Sequence, residues 1–185
     1  MIISLTGTPG TGKTTICGLI QSQYSEQYHV IDLNKLIIGE KLYTGKDERR
    51  DCYIADLEKL EGRVKQIIDK TPEGKDILME GHLSHLLPAD AIIVLRASPA
   101  TLRERLIKKG YSSEKVKENV NAEALDVILV ESVQKSSSVY EINTTDMTPQ
   151  AIVQAIISII ESLKDRKIPA GFLPGKINWI DQVEL

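Results

Sequence analysis

The run GTPGTGKTT at positions 7–15 constrains this chain more than any other feature. It follows the apolar stretch Ile2, Ile3, Ser4, Leu5 and precedes the helix-compatible Ile16, Cys17, Gly18, Leu19, Ile20. This is the phosphate-binding pattern G-x-x-x-x-G-K-T in the strand–loop–helix setting that it requires. A nucleoside triphosphate such as ATP presents several negative charges. A loop that turns its backbone N–H groups onto those oxygens must adopt conformations open mainly to glycine, which Gly7, Gly10 and Gly12 supply. The helix beginning near Gly12 adds the positive end of its dipole, Lys13 is placed to reach the β and γ phosphates, and the Thr14 hydroxyl is placed to ligate Mg²⁺. Thr15 adds a second hydroxyl at the same helix start.

Strand and helix patterns then alternate, which predicts a parallel sheet covered by helices, an α/β fold of the P-loop NTPase kind. Five short strands are expected, at Ile2–Thr6 and at 29–31, 77–80, 91–95 and 139–142. Leu57, Leu60, Val64, Ile67 and Ile68 follow helical spacing, as do Ile152, Ile156, Ile160 and Leu163 behind a start at Thr148-Pro149. Ser98-Pro99 opens another helix through Leu102 and Leu106 that ends at Lys109-Gly110.

Two segments fall outside this alternation. Residues 34–56 are polar and read as a flap after the second strand. Residues 103–117 carry Arg103, Arg105, Lys108, Lys109, Lys115 and Lys117 against Glu104 and Glu114. Such clustering suits a phosphate-binding lid, and the alternative is a solvated helix face with Glu–Lys pairs.

The 185 residues fit one domain, and a net charge of −3 with 26% charged residues argues against a nucleic-acid-binding polycation. Neither sequence-specific nucleic-acid binding nor membrane binding is expected. Cys17 and Cys52 lack metal-ligand spacing, and Met1 leads straight into a strand, so a reduced cytoplasmic protein is expected. No apolar run approaches the ~20 residues that span a bilayer.

The apolar run Ile77-Leu78-Met79 ends in Glu80, where a nucleotide site needs an acid to hold the metal's water shell beside the loop threonine. Being one methylene longer than Asp, Glu80 suits contact through a metal-bound water. His82 follows at the carboxyl end of the same strand, where open α/β sheets bind ligands, and is placed to orient a water or a substrate phosphate. His29 and His85 have no such placement.

Taken in order, these residues resemble the adenylate kinase isoenzyme 6 family, whose members are also described as nuclear ATPases and small-ribosomal-subunit assembly factors. The resemblance rests on GTPGTGKTT, LYTGKDERRDC at 42–52, EGHLSHLLP at 80–88, VLRASPATLRERLIKKGY at 94–111, KVKENVNAE at 115–123 and the INTT run at 142–145. It implies an adenylate-kinase-like core over 1–164, a nucleoside-monophosphate-binding insertion at about 30–53 and a short lid at about 108–118. It also implies a metal-side acid followed two residues later by a histidine, matching Glu80 and His82. The activity it implies is transfer of the ATP γ-phosphoryl group to AMP-like acceptors together with ATP hydrolysis. The partner it implies is a small-subunit ribosomal protein of the universal S-eleven family, bound transiently, in rRNA maturation.

Three positions depart from the family pattern. Lys109 stands where the lid usually has arginine and cannot make a bidentate planar phosphate contact, which shifts that load towards Arg105. Ile38 stands where better-known members have an arginine, leaving Arg49 or Arg50 to hold the monophosphate. Glu80 stands where Asp is common.

On this reading Lys13, Glu80, His82 and Arg105 carry the chemistry. Gly10, Gly12, Lys13, Thr14, Thr15 and Lys109 bind the nucleotide, and Thr14 and Glu80 face the metal. Two activities stay open, a monophosphate kinase and an ATPase switch acting on a ribosomal protein. The segment 165–185 holds Phe172 and Trp179 among Pro and Gly residues, and either folds back on its own domain or docks on a partner.

Overall fold

The computed structural model describes residues 1–48 and 52–183. Arg49 and Arg50, candidates for the monophosphate contact, lie outside the described residues. All five expected strands are present, most of them a residue longer than their apolar patterns: β1 Ile2–Thr6, β2 Tyr28–Asp32, β5 Asp76–Glu80, β6 Ala91–Arg96 and β7 Val139–Asn143. They form one parallel sheet in the order β2-β5-β1-β6-β7. Near-continuous Ile, Leu and Val runs suit strands buried on both faces, and every residue of β5 and β6 is buried.

Helices cover both faces. On one side α1 (Lys13–Gln23) and α7 (Pro149–Lys164) pack Ile16, Ile20, Ile152, Val153, Ile156 and Ile160 against Leu5, Leu78 and Ile93. On the other, α3 (Leu57–Lys70) brings Leu60 and Val64 onto Ile31, Ile77 and Met79. The caps agree with the sequence: Ser98 accepts from the Thr101 N–H before α4 (Pro99–Lys108), and Thr148 from the Ala151 N–H before α7.

Both segments outside the alternation contain regular elements among the described residues. In 34–56, the short helix α2 (Leu33–Gly39) buries Leu33 and Ile37, one turn apart, against β2 and β5. The antiparallel hairpin β3 (Tyr43–Asp47) and β4 (Cys52–Ala55) follows, with the Tyr43 and Tyr53 rings 4.3 Å apart. The hairpin carries no strand signature in the sequence because its apolar residues do not alternate and none of its described residues is fully buried. After α4, the helix α5 (Ser113–Ala124) buries Val116 and Val120 against Leu102 and Leu106, and α6 (Val127–Lys135) sets Leu129 over Ile92 and Val94.

The C-terminal segment folds back onto the domain. Phe172 packs against the α1–α7 core, and Trp179 lies over the Arg96 guanidinium, 5.1 Å from carbon to ring centre. No helix among the described residues is long and apolar enough to cross a membrane.

Candidate active site

The phosphate loop spans residues 7–12, between the end of central strand β1 and the start of α1. Gly7, Gly10 and Gly12 all have positive φ, at 136°, 96° and 103°. At Gly7 the requirement is also steric, since a Cβ there would lie 2.2 Å from the Leu95 carbonyl oxygen at the end of β6. Gly7→Ala is therefore expected to displace the loop and weaken ATP binding by about tenfold or more while the core stays folded. Calorimetric titration with ATP alongside circular dichroism checks it.

No side chain among the described residues caps α1, and its first turn carries no acid. Its first N–H groups therefore remain available to an anion. Lys13 is buried and its Nζ donates to the carbonyls of Gly7 (2.6 Å) and Thr8 (3.1 Å). Burial lowers its pKa to about 8, against the raising influence of the Glu80 and Glu123 charges.

Glu80 ends β5, between Leu5 of β1 and Asp32 of β2 in register. Thr14 Oγ1 donates to Glu80 Oε1 at 3.1 Å, and Glu80 Oε2 is buried without a hydrogen-bond partner among the described residues. Burial first, and then the charge of Asp32, raise the Glu80 pKa, while the Thr14 hydrogen bond and Lys13 oppose them. A hydroxyl and a carboxylate with a spare oxygen beside the loop fit Mg²⁺ held partly through its own water.

Thr8, Gly10, Gly12, Lys13, Thr14, Thr15, His82, Lys109 and Lys115 line one cleft of about 640 Å³. Asn34, Ile37, Ile38 and Tyr53 line the same cleft, so α2 and the hairpin share it with the phosphate loop. His82 is half-buried, and its pKa falls to about 4 through burial and the charges of Lys13, His85 and Lys115. It is a neutral imidazole at pH 7, with one ring nitrogen able to accept a hydrogen bond.

Arg105 sits differently. Its guanidinium donates to the Gly10 and Thr144 carbonyls, each at 3.3 Å, and so braces the loop from the α4 side instead of lining the cleft. Lys109 lines the cleft one turn further on, just before Gly110 at φ 78°.

Sequence reasoning passed over several residues. Asp32 lies beside Glu80 and caps α2 through the Lys35 N–H. His85 is buried, with Nδ1 3.0 Å from Thr6 Oγ1 and Nε2 2.9 Å from Glu131. Asp32 was legible as an N-cap, but the His85 contacts join residues far apart in sequence.

Sheet order, glycine loop and the Lys13–Thr14–Glu80 arrangement define a P-loop nucleotide-binding fold of the kinase type. A crystal structure of shikimate kinase from Bacteroides thetaiotaomicron shares it, with a TM-score of 0.58 over 87% of this chain and 98% of that one at 19% identity. Residues 3–126 match the model of a family described as an AAA domain. Proteins named "Putative adenylate kinase" are similar over nearly the whole length. That of Methanosarcina acetivorans is 43% identical (99% of this chain, 100% of that one), and that of Methanocaldococcus jannaschii 44% (98% and 94%). The one from Pyrococcus furiosus is 36% identical, covering 97% and 91%. The chain belongs to the same family as these archaeal proteins.

Proposed function

We propose that this protein is an ATP-dependent nucleoside monophosphate kinase of the adenylate kinase type that also hydrolyses ATP. The observation that carries the reading is one cleft lined both by the phosphate loop and by residues of α2 and the hairpin, which gives a donor and an acceptor a common space. The name of the archaeal relatives supports it.

In this reading residues 30–53 bind the AMP-like acceptor and residues 108–118 form the lid, on a domain of residues 1–164 with 165–185 as its tail. The acceptor oxygen forms a bond to the γ phosphorus as the bond to the β-bridging oxygen breaks and ADP leaves. Lys13 and Lys109 offset charge on the transferring group, and Gly10, Gly12, Thr14 and Thr15 hold the donor phosphates. Arg105 keeps the loop in place and stands one turn from Lys109 for the same charge. Mg²⁺, held by Thr14 and Glu80, would supply further neutralisation on the phosphate oxygens. In hydrolysis a water takes the acceptor's place, and the neutral His82 ring orients it.

A second reading is the ATPase switch, in which hydrolysis ends a transient association with a small-subunit ribosomal protein of the universal S-eleven family during rRNA maturation in the cytoplasm. Ile38 favours it, because an apolar side chain 57% exposed in the α2 lining of the cleft offers no charge to a monophosphate. ATP turnover measured with and without AMP, and with and without that ribosomal protein, tests both. AMP-dependent ADP formation supports the kinase, and partner-dependent hydrolysis supports the switch.

His82→Ala is expected to slow turnover of bound ATP by about 10²-fold while changing ATP affinity by less than about threefold. Single-turnover hydrolysis beside a binding titration separates the two. Lost affinity with unchanged turnover would remove His82 from the reaction.

A further inference from the structure

Thr8 is the pivot of the phosphate loop. Its carbonyl accepts from Lys13 Nζ (3.1 Å), the Thr11 N–H (3.2 Å) and Thr11 Oγ1 (2.9 Å), so the place of Thr8 sets the place of the loop lysine. Its own side chain is buried and its hydroxyl donates to Glu123 Oε2. Glu123 lies on α5, in the last turn of the helix whose Lys115, Glu118 and Asn119 line the cleft.

Glu123 is in turn held from behind. Its Oε1 accepts from Arg96 Nε at 2.6 Å and from the Ala97 N–H at 3.2 Å, and its backbone carbonyl accepts from Arg96 Nη2 at 3.2 Å. Arg96 is 1% exposed, at the carboxyl end of β6, and also pairs with Asp126 and, at 3.2 Å, with Glu141 Oε2. Glu141 Oε1 accepts the backbone N–H groups of Lys176 (2.9 Å) and Ile177 (3.3 Å), while the Trp179 ring covers the Arg96 guanidinium. Both oxygens of Glu123 and both of Glu141 thus have donors, with the Thr8 hydroxyl on Glu123 Oε2 and charged or N–H groups on the other three, the condition under which buried charges persist in one arrangement.

We propose that Glu123 is a positioning residue for the phosphate loop, acting through the Thr8 hydroxyl, and that the C-terminal segment at Lys176–Trp179 sets its position through Arg96. The tail then belongs to the nucleotide site although it does not line the cleft. A shift of α5 moves Glu123 and hence Thr8 and Lys13, so lid and loop are mechanically joined. The proposal rests on the reading of the cleft as an ATP site.

Calorimetric titration of the full-length chain with ATP and magnesium chloride, at a temperature where circular dichroism shows every variant folded, tests it. Thr8→Val, which keeps the shape of the side chain, and Glu123→Gln are each expected to weaken ATP binding about tenfold. The double variant is expected to be no weaker than the worse single one. Trp179→Ala is expected to weaken ATP about threefold in the natural background and not at all beside Thr8→Val. Val153→Ala, a core truncation outside the Thr8–Glu123–Arg96 network, is expected to lower Tm with ATP affinity unchanged, which separates positioning from general stability.

Thr8→Val with affinity within twofold of the natural chain, or losses that multiply in the double variant, would overturn the role of Glu123. This holds even if Glu123→Gln fails to fold. Trp179→Ala binding ATP like the natural chain would remove the tail from the network. A natural chain that binds no ATP would instead overturn the nucleotide-site reading itself.

Discussion

Exchange of Lys13 for methionine is expected to remove ATP-dependent turnover and, at the same time, to make the nucleotide-free protein more stable. The loss follows from the position of Lys13 at the cleft, where it would meet the β and γ phosphates. Removal of one such preorganised positive group costs about 10²–10³-fold or more in rate. The gain in stability follows from burial. A lysine whose pKa falls from 10.5 to about 8 on folding opposes folding by up to about 3 kcal/mol at pH 7. Methionine keeps the length and leaves the charge out, although the Gly7 and Thr8 carbonyls lose a donor. A net gain of about 1–3 kcal/mol is expected at pH 7.

The sign with pH is specific. Below about pH 8 Lys13 is charged in both folded and unfolded chains, and the whole penalty falls on the folded one. Between about pH 8 and 10.5 the folded protein releases its proton first, so the natural chain gains stability as pH rises and the methionine advantage shrinks. Urea denaturation of both proteins at pH 7 and pH 9.5, paired with ATP turnover, checks it. Equal stability at both pH values would mean that Lys13 is not held in the buried position described.

The second large effect is expected at Arg96. Arg96→Met leaves Glu123, Asp126 and Glu141 without the guanidinium that pairs with all three, and should cost about 3–5 kcal/mol at pH 7. Adding Glu123→Gln and Glu141→Gln should return much of the loss at pH 7, because the cost lies in the uncompensated charge. A single Arg96→Met variant within 1 kcal/mol of the natural chain by chemical denaturation would show that the network carries little stability.

Local patterns were a sound guide where one element answers to one rule. The glycine loop, the five strands and the caps at Ser98 and Thr148 rest on backbone freedom, apolar periodicity and hydroxyl capping, all of which act within a few residues. The hairpin at Tyr43–Asp47 and Cys52–Ala55 escaped because its first strand is largely polar, its second does not alternate, and the sequence between them lacks a tight two-residue turn. The helix α5 escaped because its buried apolar side is only Val116, Val120 and Ala124 among polar and charged neighbours, and α6 because it is apolar on more than one face, with Leu129 buried but Val127, Val130 and Val133 exposed.

Fold class and the chemical kind of the site were therefore determined by the sequence itself. A loop of this glycine spacing has few backbone conformations open to it, and Lys13, Thr14 and Glu80 are placed by the ends of a helix and a strand that the pattern defines. Tertiary structure alone decided that Arg105 braces the loop from behind and that His85 is buried against Thr6 and Glu131. It also decided that Thr8, Glu123, Arg96, Glu141 and the C-terminal backbone form one buried chain of charge and hydrogen bonds. The physical reason is common to all three: a buried polar group takes its partners from whatever the packing brings near. Those partners are separated by tens of residues in sequence and carry no local periodicity to announce them.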